Sequence, residues 1–82
     1  MNAEDVTRLI QQGLPDAEVT VRSDDGVHFE AVVVSEAFAG KSRIARHQLV
    51  YASLGALMGN EIHAMSIRAA TPAERDQRED ST

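Results

Sequence analysis

The feature that most restricts the fold of this chain is a pair of strand-like patterns separated by a polar turn, between residues 18 and 34. Residues 18–22 (Glu-Val-Thr-Val-Arg) alternate polar and apolar side chains, which is typical of a half-buried strand. Residues 23–26 (Ser-Asp-Asp-Gly) are strong turn formers, so a hairpin is predicted. Residues 27–34 form the second predicted strand, and its last four residues are apolar on both faces, which favours a central or covered position.

Helical patterns lie on both sides of this hairpin. A first helix is predicted to begin after the N-cap Asn2 and to end at Gly13 as its C′ residue. After a short connection with one helical turn, a long helix is predicted from Arg43 to about Met58, with Ser42 as its cap and Gly59 as its terminator. The apolar side chains expected on its buried face are Ile44, Val50, Tyr51, Leu54, Leu57 and Met58.

A third strand is predicted over about residues 63–69, and a capping box formed by Thr71 and Glu74, with Pro72 between them, predicts a last helix. Residues 75–82 contain no Val, Ile, Leu or aromatic residue, so we expect a domain over residues 1–75 and a flexible polar tail over 76–82. The second and third strands should be parallel because a helix connects them. The predicted fold is therefore α+β, with a three-stranded mixed sheet and helices on one face.

Composition narrows the possible functions. The chain has 82 residues, no cysteine and a net charge of −5. So short a chain is expected to lack an enclosed catalytic cavity, and we find no catalytic constellation, so an enzyme is not expected. The acidic charge weighs against non-specific nucleic-acid binding. The N-terminus has no apolar leader and no stretch is long enough for a membrane span, so a cytoplasmic protein that does not bind membranes is expected.

Three histidines are candidate metal ligands, but their spacing matches no local metal motif, so a complete metal site within the chain is not expected. His28 is either a cross-strand polar residue or an exposed ligand at the hairpin turn. His47 is expected as a partly buried helix residue. His63 opens the third strand, where it is either partly buried beside the core or accessible at the mouth of the strand.

A small basic segment is the other candidate site. Lys41 and Arg43 flank the predicted start of the long helix, and Arg46 follows one turn later. A helix start with nearby cations can bind phosphate, which would allow a nucleic-acid contact. The alternative is an ordinary capped and solvated helix start.

Several segments resemble the BolA family over roughly residues 3–75. They are residues 38–43 (Phe-Ala-Gly-Lys-Ser-Arg), 46–51 (Arg-His-Gln-Leu-Val-Tyr), 61–68 (Glu-Ile-His-Ala-Met-Ser-Ile-Arg) and 71–72 (Thr-Pro). The resemblance implies an α-β-β-α-α-β-α fold similar to a type II KH domain. The chain departs from the family pattern at two places. Arg75 stands where relatives often have an aromatic residue, and the second glycine of a GxxG signature is absent.

The resemblance also implies a function. BolA-like proteins pair with monothiol glutaredoxins as heterodimers and share a glutathione-bound [2Fe–2S] cluster, in iron homeostasis and stress response. The family's invariant histidine corresponds to His63, and the variable ligand of the first hairpin loop corresponds to His28. Because the chain has no thiolate, it should hold no cluster alone, and without its partner we expect a monomer or weak homodimer. The alternative implied function is a DNA-binding transcriptional regulator that uses Lys41, Arg43 and Arg46.

Overall fold

The computed structural model describes residues 2–55 and 64–80, which form a three-stranded mixed sheet with helices packed against one face. The elements, in chain order, are α1 (Ala3–Gly13), β1 (Glu18–Arg22), β2 (His28–Val34), a single 3-10 turn (Glu36–Phe38), α2 (Arg43–Leu54), β3 (Ala64–Ala70) and α3 (Pro72–Asp80). The order agrees with the prediction, and a 3-10 turn stands where the family resemblance implies the first of two helices. No helix in this part of the chain is long and apolar enough to cross a membrane.

The sheet has the order β1-β2-β3, so β2 is the central strand, as its apolar residues predicted. β1 and β2 form an antiparallel hairpin in which Arg22 lies opposite Glu30. β3 pairs with β2 in parallel, and Ala64 lies opposite His28. This register brings the start of β3 beside the hairpin turn, at the end of the sheet where His28 lies.

The core lies between the sheet and the two long helices. In β2, Phe29, Ala31 and Val33 are at most 2% exposed, whereas Val32, which points to the opposite face, is 42% exposed. Residues from α1 and α2 complete the core, namely Val6, Ile10, Val50 and Leu54. The second face of the sheet is therefore open among the described residues.

Gly13 has a role that the sequence did not predict. It is the last residue of α1 and does not adopt a positive φ, so the predicted C′ role is wrong. A Cβ atom at this position would lie 2.5 Å from the Cβ of Ser53 in α2. Glycine is therefore required because it lets the two helices approach closely.

The predicted limits and buried face of α2 were partly wrong. The helix ends at Leu54, and Gly55 caps it with a φ of +59°, so the predicted terminator Gly59 is not the residue that ends this helix; Leu57, Met58 and Gly59 lie outside the described residues. Ile44 and Tyr51 are 71% and 38% exposed rather than buried. Val50 and Leu54 are buried in the core, as predicted, so only the part of the stripe that includes Ile44 and Tyr51 is wrong.

The last helix begins at the predicted capping box. The amide of Thr71 donates to Glu74 Oε1 (2.9 Å), and the amide of Glu74 donates to Thr71 Oγ1 (3.2 Å). The helix then continues to Asp80, so residues 76–80, which the sequence analysis placed in a flexible tail, are helical. Arg75, which replaces the aromatic residue expected in the family, pairs with Glu18 across the end of the sheet.

Arg46 joins α2 to β3 and α3. Its guanidinium donates to both carboxylate oxygens of Glu74 (2.6 and 3.1 Å), to the carbonyl of Ala69 (3.2 Å) and to that of Lys41 (3.0 Å). It also lies 6.0 Å from the centre of the Phe38 ring. A bidentate pair that is anchored in this way fixes the position of α3 relative to the sheet.

The pairing of Glu74 with Arg46 predicts a pH dependence of stability. Hydrogen bonds from Arg46 and from the Thr71 amide lower the pKa of Glu74 from 4.5 to about 2. Because the folded-state pKa is below the unfolded value, this stabilisation is present above about pH 4.5 and is lost as the pH falls towards 2. We expect Glu74→Gln to lower the melting temperature at pH 7, and the gap from wild type to narrow between pH 5 and pH 2. Thermal unfolding followed by circular dichroism measures this, with Glu30→Gln as the control; a gap that is constant with pH would contradict the assignment.

Candidate functional site

The turn between β1 and β2 is organised around the carboxylate of Asp25. Its Oδ1 accepts hydrogen bonds from the amides of Val27 (3.0 Å) and His28 (2.9 Å). Ser23 Oγ accepts from the amide of Gly26 (2.9 Å) and donates to the carbonyl of His28 (2.7 Å). Gly26 adopts a φ of +77°, which favours glycine. The side chains of the turn therefore satisfy its backbone groups and hold His28 in a defined position.

The second carboxylate oxygen of Asp25 binds the His28 ring directly. Asp25 Oδ2 lies 2.6 Å from His28 Nδ1. Hydrogen bonds from the His28 ring and from the His28 and Val27 amides hold the pKa of Asp25 well below its usual range, so this carboxyl is ionised. An ionised carboxylate only accepts hydrogen bonds, so Nδ1 carries the hydrogen and, in the neutral ring, Nε2 keeps its lone pair. Metal-binding histidines commonly use this arrangement, with one nitrogen donating to a carboxylate and the other binding the metal.

His28 lines an open cleft of about 340 Å³ at this end of the sheet. Its side chain is 63% exposed, so the imidazole is accessible from solvent. The opposite side of the cleft includes Ala64 and Ser66 at the start of β3, and Ala64 is the register partner of His28. The cleft therefore offers an oriented imidazole donor on an open surface.

Of the two predicted metal ligands, His28 is among the described residues and His63 is not. His28 stands at the first residue of β2, as predicted. Ala64, which follows His63 in the chain, lies opposite His28. Within residues 2–55 and 64–80, no group of three metal-ligating side chains lies together.

The predicted basic residues line a second depression, a groove of about 860 Å³ between α2, β3 and α3. Lys41 and Arg43 are exposed there, and His47 is half-buried beside them. Arg46 is only 14% exposed, and Glu74 and two backbone carbonyls occupy its guanidinium. Arg46 therefore acts as a structural clamp, and Lys41 and Arg43 are the accessible cations of the predicted set.

Sequence reasoning missed the partners of these residues. The contacts of Asp25 with His28 had one signal in the sequence, because an aspartate in a turn three residues before a histidine can bind both the amide and the ring of that histidine. The pairing of Arg46 with Glu74 had no such signal, because it joins residues that are 28 positions apart.

Comparisons with known proteins agree with the fold and cover most of the chain. A family model described as "BolA-like protein" matches residues 10–74. The acid stress protein IbaG of Escherichia coli is 41% identical over 75 residues, which cover 90% of this chain and 88% of IbaG. The solved structure of a bolA protein homologue from Coxiella burnetii has a TM-score of 0.83 at 39% identity and covers 93% of this chain and 97% of its own. The BolA domain of SufE1 from Arabidopsis thaliana has a TM-score of 0.78 at 34% identity, over 88% of this chain and 93% of that domain.

Proposed function

Because the chain belongs to the BolA family, we propose that it is an adaptor that binds a monothiol glutaredoxin and shares a glutathione-bound [2Fe–2S] cluster with it. The observation that carries the proposal is the pairing of His28 with Asp25 at the hairpin turn. This pairing leaves a metal-binding nitrogen on an imidazole that is 63% exposed, in a cleft that a partner can cover. A role in iron–sulfur homeostasis and stress response follows from such an adaptor.

The donor set of the chain fits a shared cluster better than a cluster held alone. A [2Fe–2S] cluster needs four ligands, which are thiolates in most proteins and include two histidines in Rieske centres. This chain has no cysteine, so the thiolates must come from the glutaredoxin and from glutathione. When bound, the cluster supplies a redox-active iron centre, and imidazole ligation raises its reduction potential above that of an all-thiolate cluster.

Each residue of the cleft has a defined part in the proposal. Asp25 fixes the orientation of the His28 ring, and the amides of Val27 and His28 fix Asp25. His63 is the second proposed ligand. Its place in the proposal rests on the family resemblance and on the position of its chain neighbour Ala64, the register partner of His28.

Histidine variants in the reconstituted complex test this function. The chain is co-expressed with a monothiol glutaredoxin, and the purified complex is examined by visible absorption and circular dichroism. We expect a cluster-bound heterodimer whose spectrum differs from that of the glutaredoxin homodimer. His63→Ala and His28→Ala should each change the spectrum and shorten the lifetime of the cluster, because each removes an imidazole ligand.

His47→Ala is the matched control because it removes a histidine that lies on α2, in the basic groove rather than in the cleft. Its complex should keep the wild-type spectrum. A wild-type spectrum and lifetime in both His28→Ala and His63→Ala, or an equal change in all three variants, would contradict the ligand assignment.

A further inference from the structure

The groove between α2 and β3 has features that the cluster-binding proposal does not use. It is lined on one side by Lys41, Arg43 and His47, and on the other by residues 67–70 of β3. β3 is an edge strand of the sheet, because the strand order is β1-β2-β3. The groove therefore runs along a sheet edge that presents backbone groups as well as side chains.

The hydrogen bonds of β3 show which backbone groups face this groove. The Ala64 amide donates to Val27, and the Ala70 carbonyl accepts from Ser35. In a parallel pair, alternate residues of a strand direct their N–H and C=O groups to the same neighbouring strand. These two bonds therefore show that the even-numbered residues of β3 pair with β2. The N–H and C=O groups of Ile67 and Ala69 consequently point to the open edge. Arg46 caps the Ala69 carbonyl from that side, which confirms their direction.

The charge of the groove is opposite to that of the whole chain. The net charge is −5, yet Lys41, Arg43 and Arg68 all line this depression. Glu74 also lines it, but its carboxylate is already paired with Arg46. In the described part of the chain, no carboxylate pairs with Lys41 or Arg43, so their charges remain available to a ligand.

Two exposed apolar side chains lie on α2 about one turn before and one turn after His47, which lines the groove. Ile44 and Tyr51 are 71% and 38% exposed, and they flank His47 at spacings of three and four residues on α2. Tyrosine and arginine are frequent anchor residues in protein interfaces, where an apolar centre is bordered by charges. Among the described residues, edge backbone groups of β3 and cations without a carboxylate partner thus lie along one groove, and two exposed apolar side chains lie on the helix that borders it.

We propose that this groove binds an extended acidic segment of a partner protein, which adds to the free edge of β3 as a fourth strand. Its backbone pairs with the N–H and C=O of Ile67 and with the N–H of Ala69, whose carbonyl is held by Arg46. Its carboxylates meet Lys41 and Arg43, and its apolar side chains contact Ile44 and Tyr51. Strand addition uses main-chain hydrogen bonds for affinity and side-chain contacts for specificity. A nucleic acid would use the cations but has no peptide groups to match the edge of β3. The proposal goes beyond the cluster-sharing function, because it uses no residue of the His28 cleft.

Binding of defined peptides tests the proposal. The probe is a fluorescein-labelled ten-residue peptide of alternating Glu and Val. It is compared with a Gln-Val peptide and with two N-methylated Glu-Val peptides, one methylated at its odd-numbered residues and the other at its even-numbered residues. Fluorescence anisotropy should show binding of the Glu-Val peptide that weakens about tenfold or more in the Gln-Val peptide and in at least one N-methylated peptide. In the bound protein, the amides of Ile67 and Ala69 should become protected from hydrogen exchange, whereas those of Ser66 and Arg68 are already protected.

Matched variants separate the groove from general charge effects. Lys41→Glu/Arg43→Glu should weaken binding of the Glu-Val peptide about tenfold or more, and the equal charge change Arg8→Glu/Arg22→Glu should weaken it less than about twofold. Four results would overturn the proposal: no binding of the peptide, equal binding of both N-methylated forms and the parent, tighter binding of a ten-nucleotide single strand, or protection of the Ile67 amide by self-association at high protein concentration.

Discussion

Phe38→Ala is expected to lower the free energy of unfolding by about 3–5 kcal/mol, the largest stability effect of any single substitution considered for this chain. Phe38 is fully buried in the 3-10 turn between β2 and α2, and it belongs to the main hydrophobic cluster. The chain has only two phenylalanines, so its core contains few large side chains. A domain of this size has a total stability of about 5–15 kcal/mol, and such a loss would remove a large part of it.

Urea denaturation followed by circular dichroism measures this effect. The control is Ile44→Ala, which also truncates an apolar side chain but one that is 71% exposed, and it should change stability by less than about 0.5 kcal/mol. A loss of less than about 1 kcal/mol in Phe38→Ala, or equal losses in both variants, would contradict the described core.

Asp25→Asn is expected to weaken retention of the shared cluster about 10- to 100-fold, the usual cost of losing the carboxylate behind a metal-binding histidine. Asp25 contacts the His28 ring at 2.6 Å, and its charge fixes Nδ1 as the protonated nitrogen. An amide at this position can present an NH₂ group to the ring, which would favour the wrong tautomer. The loss should appear as faster removal of iron from the glutaredoxin heterocomplex by a chelator.

Asp24→Asn is the matched control, since it removes the same charge from the neighbouring residue in the same turn. It should leave the rate of iron loss within about twofold of wild type, because Asp24 is exposed and makes no hydrogen bond to His28, and an exposed charge is screened by solvent and salt. The thermal stability of each free protein is measured in parallel, so that unfolding is distinguished from loss of the ligand. Equal rates in Asp25→Asn and wild type would show that the carboxylate does not support a metal-binding role of His28.

Much of the fold was predictable because its signals are local. The alternation in residues 18–22 gave the limits of β1 correctly, and the Thr71–Glu74 capping box forms as predicted. The apolar run at the end of β2 correctly indicated a central strand. Each of these features depends on neighbouring residues, and for that reason a single sequence contains the necessary information.

The errors arose where tertiary contacts override the local pattern. Of the predicted buried stripe on α2, Val50 and Leu54 are buried as expected, but the packing of α2 against α1 and the sheet leaves Ile44 and Tyr51 exposed. Gly13 looked like a helix terminator, whereas it is required by the approach of Ser53 from another helix. The predicted tail is helical to Asp80, since its first turn is fixed by contacts to β1 and α2 that the sequence does not reveal.

The candidate site was predicted less completely than the fold. The resemblance implied His28 and His63 as ligands, and the hydrogen bond that orients the His28 ring became visible only in the structure. The basic residues were predicted as a group, yet the structure separates the clamp Arg46 from the accessible Lys41 and Arg43. The sheet edge beside them depends on strand order, which no local motif specifies.

Pulsed electron paramagnetic resonance tests the central claim most directly, because it detects nitrogen atoms bound to a reduced [2Fe–2S] cluster. The chain is labelled with ¹⁵N-histidine and combined with unlabelled glutaredoxin and glutathione. The account predicts strong ¹⁵N couplings from histidine that decrease in His28→Ala and in His63→Ala, vanish in the double variant and persist in His47→Ala. A cluster-bound heterocomplex without histidine ¹⁵N coupling would contradict the account.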